Sequence, residues 1–493
     1  MDKFFFSGAP MAQISSTLNH LKIQTNVLRQ KIKEEIQKFD LIIAQGNRPD
    51  RLHVQLYENG LIGKFDYFFT GSSFGFENMA KNWIEREVEE SLSEQTPYIW
   101  DSPSMWRKFW ELLETNPDKK ILVISSAPRK EHSRLRGFPN ITFASPTADV
   151  AAPFEFDKRI MKSIYQSFGV PYDAIEYENS NSVVYNYEYH SLMLGTQSLV
   201  VQATQGSGGV TAKSSKPALF FVSNNNEFQK AILALDGEGP LRIMQKYEGI
   251  GSNTGALALP FGTFTSGIPT VKPCHGISAL GTKPGTSPGN QWNGRFPTWA
   301  IDSLFQQLEM VGTYMSQLGY AGAFGLDPVM PLNGEPRQVF CSEINSRAQG
   351  PDSQRAFAIN ALGLCSLEEM QLAFYLGADV DIFPLASDYN LITRWLRIPP
   401  YLKLFPRKDQ VVKSNLNGYW KFEDGSLTKA EKANAVFRIT GAPRPGQKIT
   451  VTSPDNFLYI KFLDTEFKIF TDDKEPGLTP QALEIVNHVY EII

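Results

Sequence analysis

Residues 322–347 place a charged face on apolar strands, and this restricts the fold more tightly than any other segment. Gly322–Met330 reads as a strand, Asn333-Gly334-Glu335-Pro336 as a turn, and Gln338–Arg347 as the returning strand. Side chains alternate along a strand, so Glu343, Asn345 and Arg347 share one face while Ile344 and Ser346 take the other. Asp327 on the neighbouring strand can point to the same side. Two carboxylates, an amide and a guanidinium are costly to bury without partners. A solvated hairpin face is the plain alternative, but the apolar flanks oppose a sheet open to water. Such an oxygen set suits Mg²⁺ carried by a nucleotide, and Arg347 suits an anionic substrate or intermediate.

The chain around this hairpin is long. Its 493 residues predict about three domains. With 42% apolar and 20% charged residues it can build cores and is not a disordered chain. Lys plus Arg number 48 and Asp plus Glu 52, so there is no global basic field and no nucleic-acid partner is expected. Cys274, Cys341 and Cys365 form no CxxC pair. That excludes a zinc signature and a disulfide framework, and it points to a reducing, cytoplasmic setting. The opening MDKFFFSGAP is not read as a signal peptide, and no window offers the ~20 apolar residues of a spanning helix, so no membrane partner is expected.

Residues 1–150 alternate helix and strand. Leu18–Phe39 reads as a helix, and strands follow at 40–44, 65–69 and 120–124, ending in Gly, Ser or Pro. That is the pattern of a parallel sheet, whose carboxyl ends receive ligands. One helix is expected from Pro153 to Phe168, stopped by Gly169 and Pro171. Residues 260–295 form a loop-rich section around His275, longer than compact domains keep without a function. Trp299–Leu318 is an amphipathic helix ending at Gly319. The last segment carries strands at 437–440, 448–451 and 459–462 and a helix over 480–490.

Two further motifs stand ahead of the hairpin. Ser198–Ala203 is a strand running into Thr204-Gln205-Gly206-Ser207-Gly208-Gly209, with a second strand at 218–222. A glycine loop between antiparallel strands can lay N–H groups over a polyphosphate, although a purely structural hairpin reads the same way. It is not a Walker loop, since no Gly-Lys-Ser/Thr follows. Leu241–Glu248 is a strand whose polar end, Gln245-Lys246-Tyr247-Glu248, can offer backbone groups to an adenine ring. An edge strand with snorkelling charges is the structural alternative.

Taken in order, these motifs resemble the ATP-grasp superfamily of carboxylate–amine ligases over roughly residues 150–365. The resemblance implies an α/β (α+β) fold in three parts. A Rossmann-like pre-ATP-grasp domain spans 1–150. The ATP-grasp domain spans 151–385, with the glycine loop in its first half (about 151–240) and the metal site in its second (about 241–385). A small β-rich C-terminal domain spans 386–493. The layout resembles the peptide-ligase branch of pheganomycin type. The resemblance further implies ATP and Mg²⁺ as cofactors. Lys158 would contact phosphates; Gln202, Gly206, Ser207, Gly208 and Gly209 would cover them. Gln245, Lys246, Tyr247 and Glu248 would form the adenine hinge, Asp327, Glu343 and Asn345 would hold metal, and Arg347 would hold substrate or acyl-phosphate.

One departure stands out. Gln202 occupies a strand position where many members of the superfamily carry a lysine, which leaves Lys213 and Lys216 as nearby substitutes. The expected activity is ADP-forming ligation of a carboxylate to an amine, with an amino acid or peptide as substrate, a carrier protein as a further partner and a homodimer as the assembly. A nucleotide-binding protein without ligase activity and a biotin-carboxylase-like enzyme are the rival readings. His275, Arg355 and the Asp352-Ser353 pair are candidates for acceptor binding, and Cys274 is a weak candidate nucleophile.

Overall fold

The computed structural model describes residues 11–46, 52–85, 102–126, 129–206, 213–214, 217–292, 296–331, 339–451 and 457–493. Ser207, Gly208, Gly209, Lys216 and the turn at 333–336 lie outside the described residues.

The first sheet contains β1 (Leu41–Gln45), β2 (Phe65–Thr70), β3 (Ala80–Glu85), β4 (Ile121–Ser125) and β5 (Ile141–Phe143). All pairings are parallel, in the order β3-β2-β1-β4-β5. Its strands are near-continuous apolar runs because both faces are covered. Ala44, Leu122 and Ile124 face α1 (Met11–Ile36) and α2 (Leu52–Glu58), where Leu28, Ile32 and Val54 meet them. Leu41, Ile43, Ile121 and Val123 face Met105, Phe109 and Leu113 of α3 (Pro103–Glu114). Strand order reverses between β1 and β4, so a crevice opens at Gln45 and Ser125.

The helix expected over 153–168 is instead two, α4 (Ala148–Glu155) and α5 (Ile160–Ser167). At the break, Asp157 bridges Gln205 and the Lys158 amide donates to the Thr204 carbonyl at 3.0 Å. The Asp157 carboxylate accepts from the Arg159 amide at 3.1 Å, the local bond that starts a new helix. The interruption sets Lys158 against the next sheet. That sheet holds β6 (Ala174–Tyr177), β7 (Leu199–Ala203), β8 (Leu219–Val222) and β9 (Leu241–Gln245), antiparallel in the order β6-β9-β7-β8. β9 is therefore an interior strand, not the edge strand its charges allow. One face packs on α6 (Tyr187–Leu194) and α7 (Asn225–Ala234) through Leu199, Val201, Leu241 and Ile243.

The third sheet is built from β10 (Ile250–Gly251), β11 (Thr254–Leu259) and β12 (Gly262–Thr265). The chain then makes the short β13 (Gly289–Asn290), α8 (Thr298–Gln317), β14 (Gly322–Met330) and β15 (Phe340–Asn345). Its order is β10-β14-β11-β12, with β15 on β14. α9 (Asp352–Ala361), α10 (Leu367–Tyr375) and α11 (Ala386–Thr393) follow. α10 starts on a capping box between Ser366 and Glu369. Glu369 also receives Arg29 of α1 at 3.0 Å, which ties the first sheet's cover to the third sheet.

The expected C-terminal strands form part of a sheet with order β13-β16-β22-β20-β18-β19, where β16 is Tyr401–Leu404, β18 Gly418–Glu423, β19 Ser426–Lys429, β20 Phe437–Thr440 and β22 Leu458–Phe462. The run expected at 448–451 is a strand only at β21 (Lys448–Ile449), which stands outside that sheet and pairs antiparallel with β17 (Gln410–Val411). One apolar core continues from α8 and β14 through this sheet to α12 (Pro480–Ile492). Among the described residues no helix is long and apolar enough to cross a membrane.

Candidate active site

The second and third sheets face each other across a cleft. At one end Val200 and Met244 of the second sheet meet Phe340 of the third, with Tyr172, Leu219 and Tyr247 around them. Tyr247 stacks on Phe340 with centroids 4.6 Å apart and planes 9° apart. The result is a packed, ring-rich apolar cluster between the two sheets.

The charged face of the hairpin lies farther along. Gly325 pairs with Asn345 and Leu326 with Ile344, and the next residues on the two strands, Asp327 and Glu343, interact through their side chains. The ladder then shifts by one residue before Pro328 pairs with Cys341, which leaves Ser342 as a bulge. The bulge frees the Ser342 carbonyl from β14 and lets its hydroxyl donate to the Asp327 carbonyl at 2.8 Å.

Four carboxylates among the described residues of the cleft each meet a cation. Lys158 Nζ stands 3.1 Å from Glu343 and donates to the Gly206 carbonyl at 3.0 Å. Lys272 Nζ stands 3.0 Å from Asp327. Arg347 Nε donates to Glu155 at 2.7 Å, and its Nη2 donates to Asn345 Oδ1 at 3.0 Å. Arg355 pairs with Asp352 at 2.7 Å. Asn253 links these pairs: its amide donates to Asp327 at 2.8 Å and to Gln349, and its carbonyl accepts from Arg355 at 2.7 Å. Burial alone would raise the Asp327 carboxyl; the Lys272 ammonium and the Asn253 amide outweigh it and hold the carboxyl below its usual range. For Lys272 burial acts downward, and Asp327 reverses it.

Two glycines make room for this network. Gly255 and Gly325 are directly paired on β11 and β14. A Cβ on Gly255 would stand 2.5 Å from Arg355 Nη1, and one on Gly325 would stand 1.3 Å from Gln349 Nε2.

The first sheet closes the far side. Ser125, Ser126 and Ser145, at its strand ends, share a small cavity with Arg347, Glu368 and Gln371. Burial and the neighbouring Asp352 push the Glu368 carboxyl up to about 8.

The structure thus brings Lys158, Asp327, Glu343, Asn345, Arg347 and Arg355 to one cleft, together with Gly206. Gln202 lies 2.9 Å from the buried Arg242 guanidinium rather than among the carboxylates. Gln245 ends β9, Tyr247 packs on Phe340, and Lys246 and Glu248 pair with each other at 3.7 Å on the exposed side. Lys213 is bound to the Gly237 carbonyl at 2.6 Å, away from the cleft. His275 is exposed. Burial pushes the Cys274 thiol up, which opposes a nucleophilic role. Sequence reasoning missed Lys272, Asn253, Gln349, Glu155 and Arg242. Lys272 stands two residues before Cys274 and three before His275, and a lone lysine in a loop carries no sequence signal of its own.

No family model matches the chain, and no curated protein matches its sequence. Solved structures do match. The biotin carboxylase domain of Hydrogenobacter thermophilus 2-oxoglutarate carboxylase, a dimer bound to MgADP and bicarbonate, superposes with a TM-score of 0.58 at 13% identity, over 86% of each chain. L-amino acid ligase from Bacillus licheniformis gives 0.51 at 12% identity, over 92% of this chain and 97% of the other. This is the ATP-grasp fold. Phosphoribosylamine–glycine ligase from Thermotoga maritima gives 0.50 at 13% identity, over 92% and 95%.

The donor set fits a hard divalent cation. The Asp327 and Glu343 side chains interact and Asn345 adds an amide oxygen, all oxygen ligands of the kind Mg²⁺ takes. Among the described residues no three of His, Cys, Asp and Glu cluster at metal distance. Any metal must therefore complete its shell with water and phosphate, as Mg²⁺ commonly does.

Proposed function

We propose that this chain is an ATP-dependent, ADP-forming carboxylate–amine ligase that acts through an acyl-phosphate on an amino acid or peptide. The observation that carries the reading is the pair of opposed ion pairs, Lys158–Glu343 and Lys272–Asp327, in the cleft between the two sheets. Each pair can exchange partners: the lysines turn to phosphate oxygens as the carboxylates turn to metal. Charge then stays balanced while a highly charged substrate enters a buried site. Mg²⁺, when bound by Asp327, Glu343 and Asn345, would neutralise the β- and γ-oxygens.

A substrate carboxylate oxygen attacks the γ-phosphorus, the bond to the ADP oxygen breaks, and ADP leaves. The amine then attacks the acyl carbon, phosphate departs and the amine gives up a proton. Arg347, oriented by Glu155 and Asn345, is placed to hold the carboxylate and then the acyl-phosphate. The serines at the first sheet's carboxyl ends, beside Arg347, support a role for that sheet in selecting substrate and excluding water. A homodimer and a carrier-bound substrate are compatible extensions of this reading.

The test is ADP and phosphate release from ATP and Mg²⁺ with pooled amino acids, peptides and small carboxylates. Release should need both the pool and Glu343, and Glu343→Gln should abolish it while the circular dichroism spectrum is unchanged. Release of AMP, or full activity in Glu343→Gln, overturns the proposal. Release that depends on bicarbonate instead of an amine assigns the chain to carboxylation.

A further inference from the structure

We infer that Glu368 is the base that takes the proton from the attacking amine. This rests on the cleft being a ligase site. The reaction needs such a group beside the acyl carbon, close to Arg347. The ion-paired carboxylates of the cleft are poor candidates. Glu343 and Asp327 stand against lysines and supply oxygens for metal. Glu155 holds Arg347. Asp352 accepts from Arg355 at 2.7 Å and from the Gln349 amide at 2.5 Å. A carboxylate paired with a cation loses proton affinity.

Glu368 differs. It sits in the first turn of α10, 5% exposed, and lines the cavity that also contains Arg347. The Ser366 hydroxyl and its own amide hydrogen-bond its carboxyl, and the charges that act on it are the Asp352 and Glu369 carboxylates. Among the described residues it enters no ion pair, because Glu369 keeps Arg29 and Asp352 keeps Arg355. The other polar groups around it are committed to the fold. The Ser145 hydroxyl donates to the Ser125 carbonyl at 2.7 Å, and the Ser346 hydroxyl to the Ala151 carbonyl at 2.9 Å. Gln371 accepts from the Ala323 amide at 2.8 Å and donates to the Ala144 carbonyl at 3.2 Å. The Tyr320 hydroxyl donates to the Ala323 carbonyl at 2.5 Å, and that of Tyr389 on α11 to the Cys365 carbonyl at 2.8 Å. The free space is about 10 Å³, room for one water-sized group such as an amino nitrogen. Burial and Asp352, which push the carboxyl up to about 8, bring it near the pH at which a general base works best. In the step, the amine nitrogen bonds to the acyl carbon and the carbon–oxygen bond to phosphate breaks. Phosphate leaves with that electron pair, and the proton passes from nitrogen to a Glu368 carboxylate oxygen. Glu368 returns it to water as the products depart.

The test separates the two halves of the reaction. ATP, Mg²⁺ and pooled amino acids are supplied with and without hydroxylamine, an amine that is unprotonated at neutral pH and attacks acyl-phosphates without a base. Hydroxamate then reports acyl-phosphate formation, and peptide reports transfer to an ordinary amine. Glu368→Gln should lower peptide formation by about 100-fold or more, the usual share of a general base, and leave hydroxamate formation unchanged. Glu368→Asp keeps a carboxyl and should lose peptide formation by only about tenfold, again with hydroxamate unchanged. It carries the same comparison if the glutamine variant misfolds, which circular dichroism would show. A folded Glu368→Gln that makes peptide like the wild type overturns the inference. Equal losses of peptide and hydroxamate in either folded variant assign Glu368 a structural part and overturn it too. A wild type that releases no ADP with the pool, with or without hydroxylamine, overturns the ligase reading, and the inference falls with it.

Discussion

Gly325→Ala tests whether the paired glycines exist to seat the polar network. The new Cβ would stand 1.3 Å from Gln349 Nε2, 2.4 Å from its Cδ and 2.6 Å from the Thr254 carbonyl oxygen. The carbonyl belongs to the β11–β14 ladder and cannot retreat, so Gln349 must leave. Its bond from Asn253 is then lost, which costs about 1 kcal/mol. Residual strain against Thr254 adds about 1–3 kcal/mol, and the smaller entropy of the unfolded alanine chain returns about 0.4–1 kcal/mol. The net expectation is a destabilisation of about 1–3 kcal/mol. With a urea slope near 3 kcal/mol/M, the midpoint should fall by roughly 0.3–1 M. Gly63→Ala is the control, because its Cβ would meet nothing within 4 Å; it should match or exceed the wild type. Asn253 also orients Asp327, so turnover should drop about 10- to 100-fold as the cleft geometry slips. A Gly325→Ala protein as stable and active as Gly63→Ala would refute the reasoning.

Two further outcomes follow from the buried charges. Lys272→Met strands the Asp327 carboxylate and should cost about 3–5 kcal/mol in urea unfolding; Lys272→Met/Asp327→Asn should be more stable than the single variant, and an additive double variant would deny the pairing. The Glu368 carboxyl is raised to about 8 in the fold, so the folded state holds this proton after the unfolded chain has released it. The stabilisation is complete below the unfolded value near 4.5 and is lost as pH rises towards 8, on the order of 1 kcal/mol per pH unit. Glu368→Gln should flatten that slope, which denaturation at pH 6 and pH 8 would show.

The amino-acid sequence by itself determined the parts whose physics is local. Period-two alternation put Glu343 and Asn345 on one face of β15, although Arg347 lies past its end, and apolar runs ending in Ser or Gly marked β1, β2 and β4 but not β3 and β5. Local signals also marked α8 and its stop at Gly319, which has φ 85°. What tertiary structure decided was which distant segments meet. Lys272, Asn253 and Glu155 reach the acidic pair and Arg347 from three separate stretches of chain, and nothing in their neighbours in sequence announces it. The helix break that presents Lys158 comes from a bridge to Gln205, a long-range contact that overrides local helix propensity. Arg242 shows the same limit most plainly. Leu241–Gln245 carries one pattern whether the strand lies at an edge or inside a sheet, and only pairing with both β6 and β7 turns its arginine from a solvated charge into a buried one. Periodicity is set by each residue's own geometry, whereas burial and charge pairing are set by neighbours that the fold brings from elsewhere.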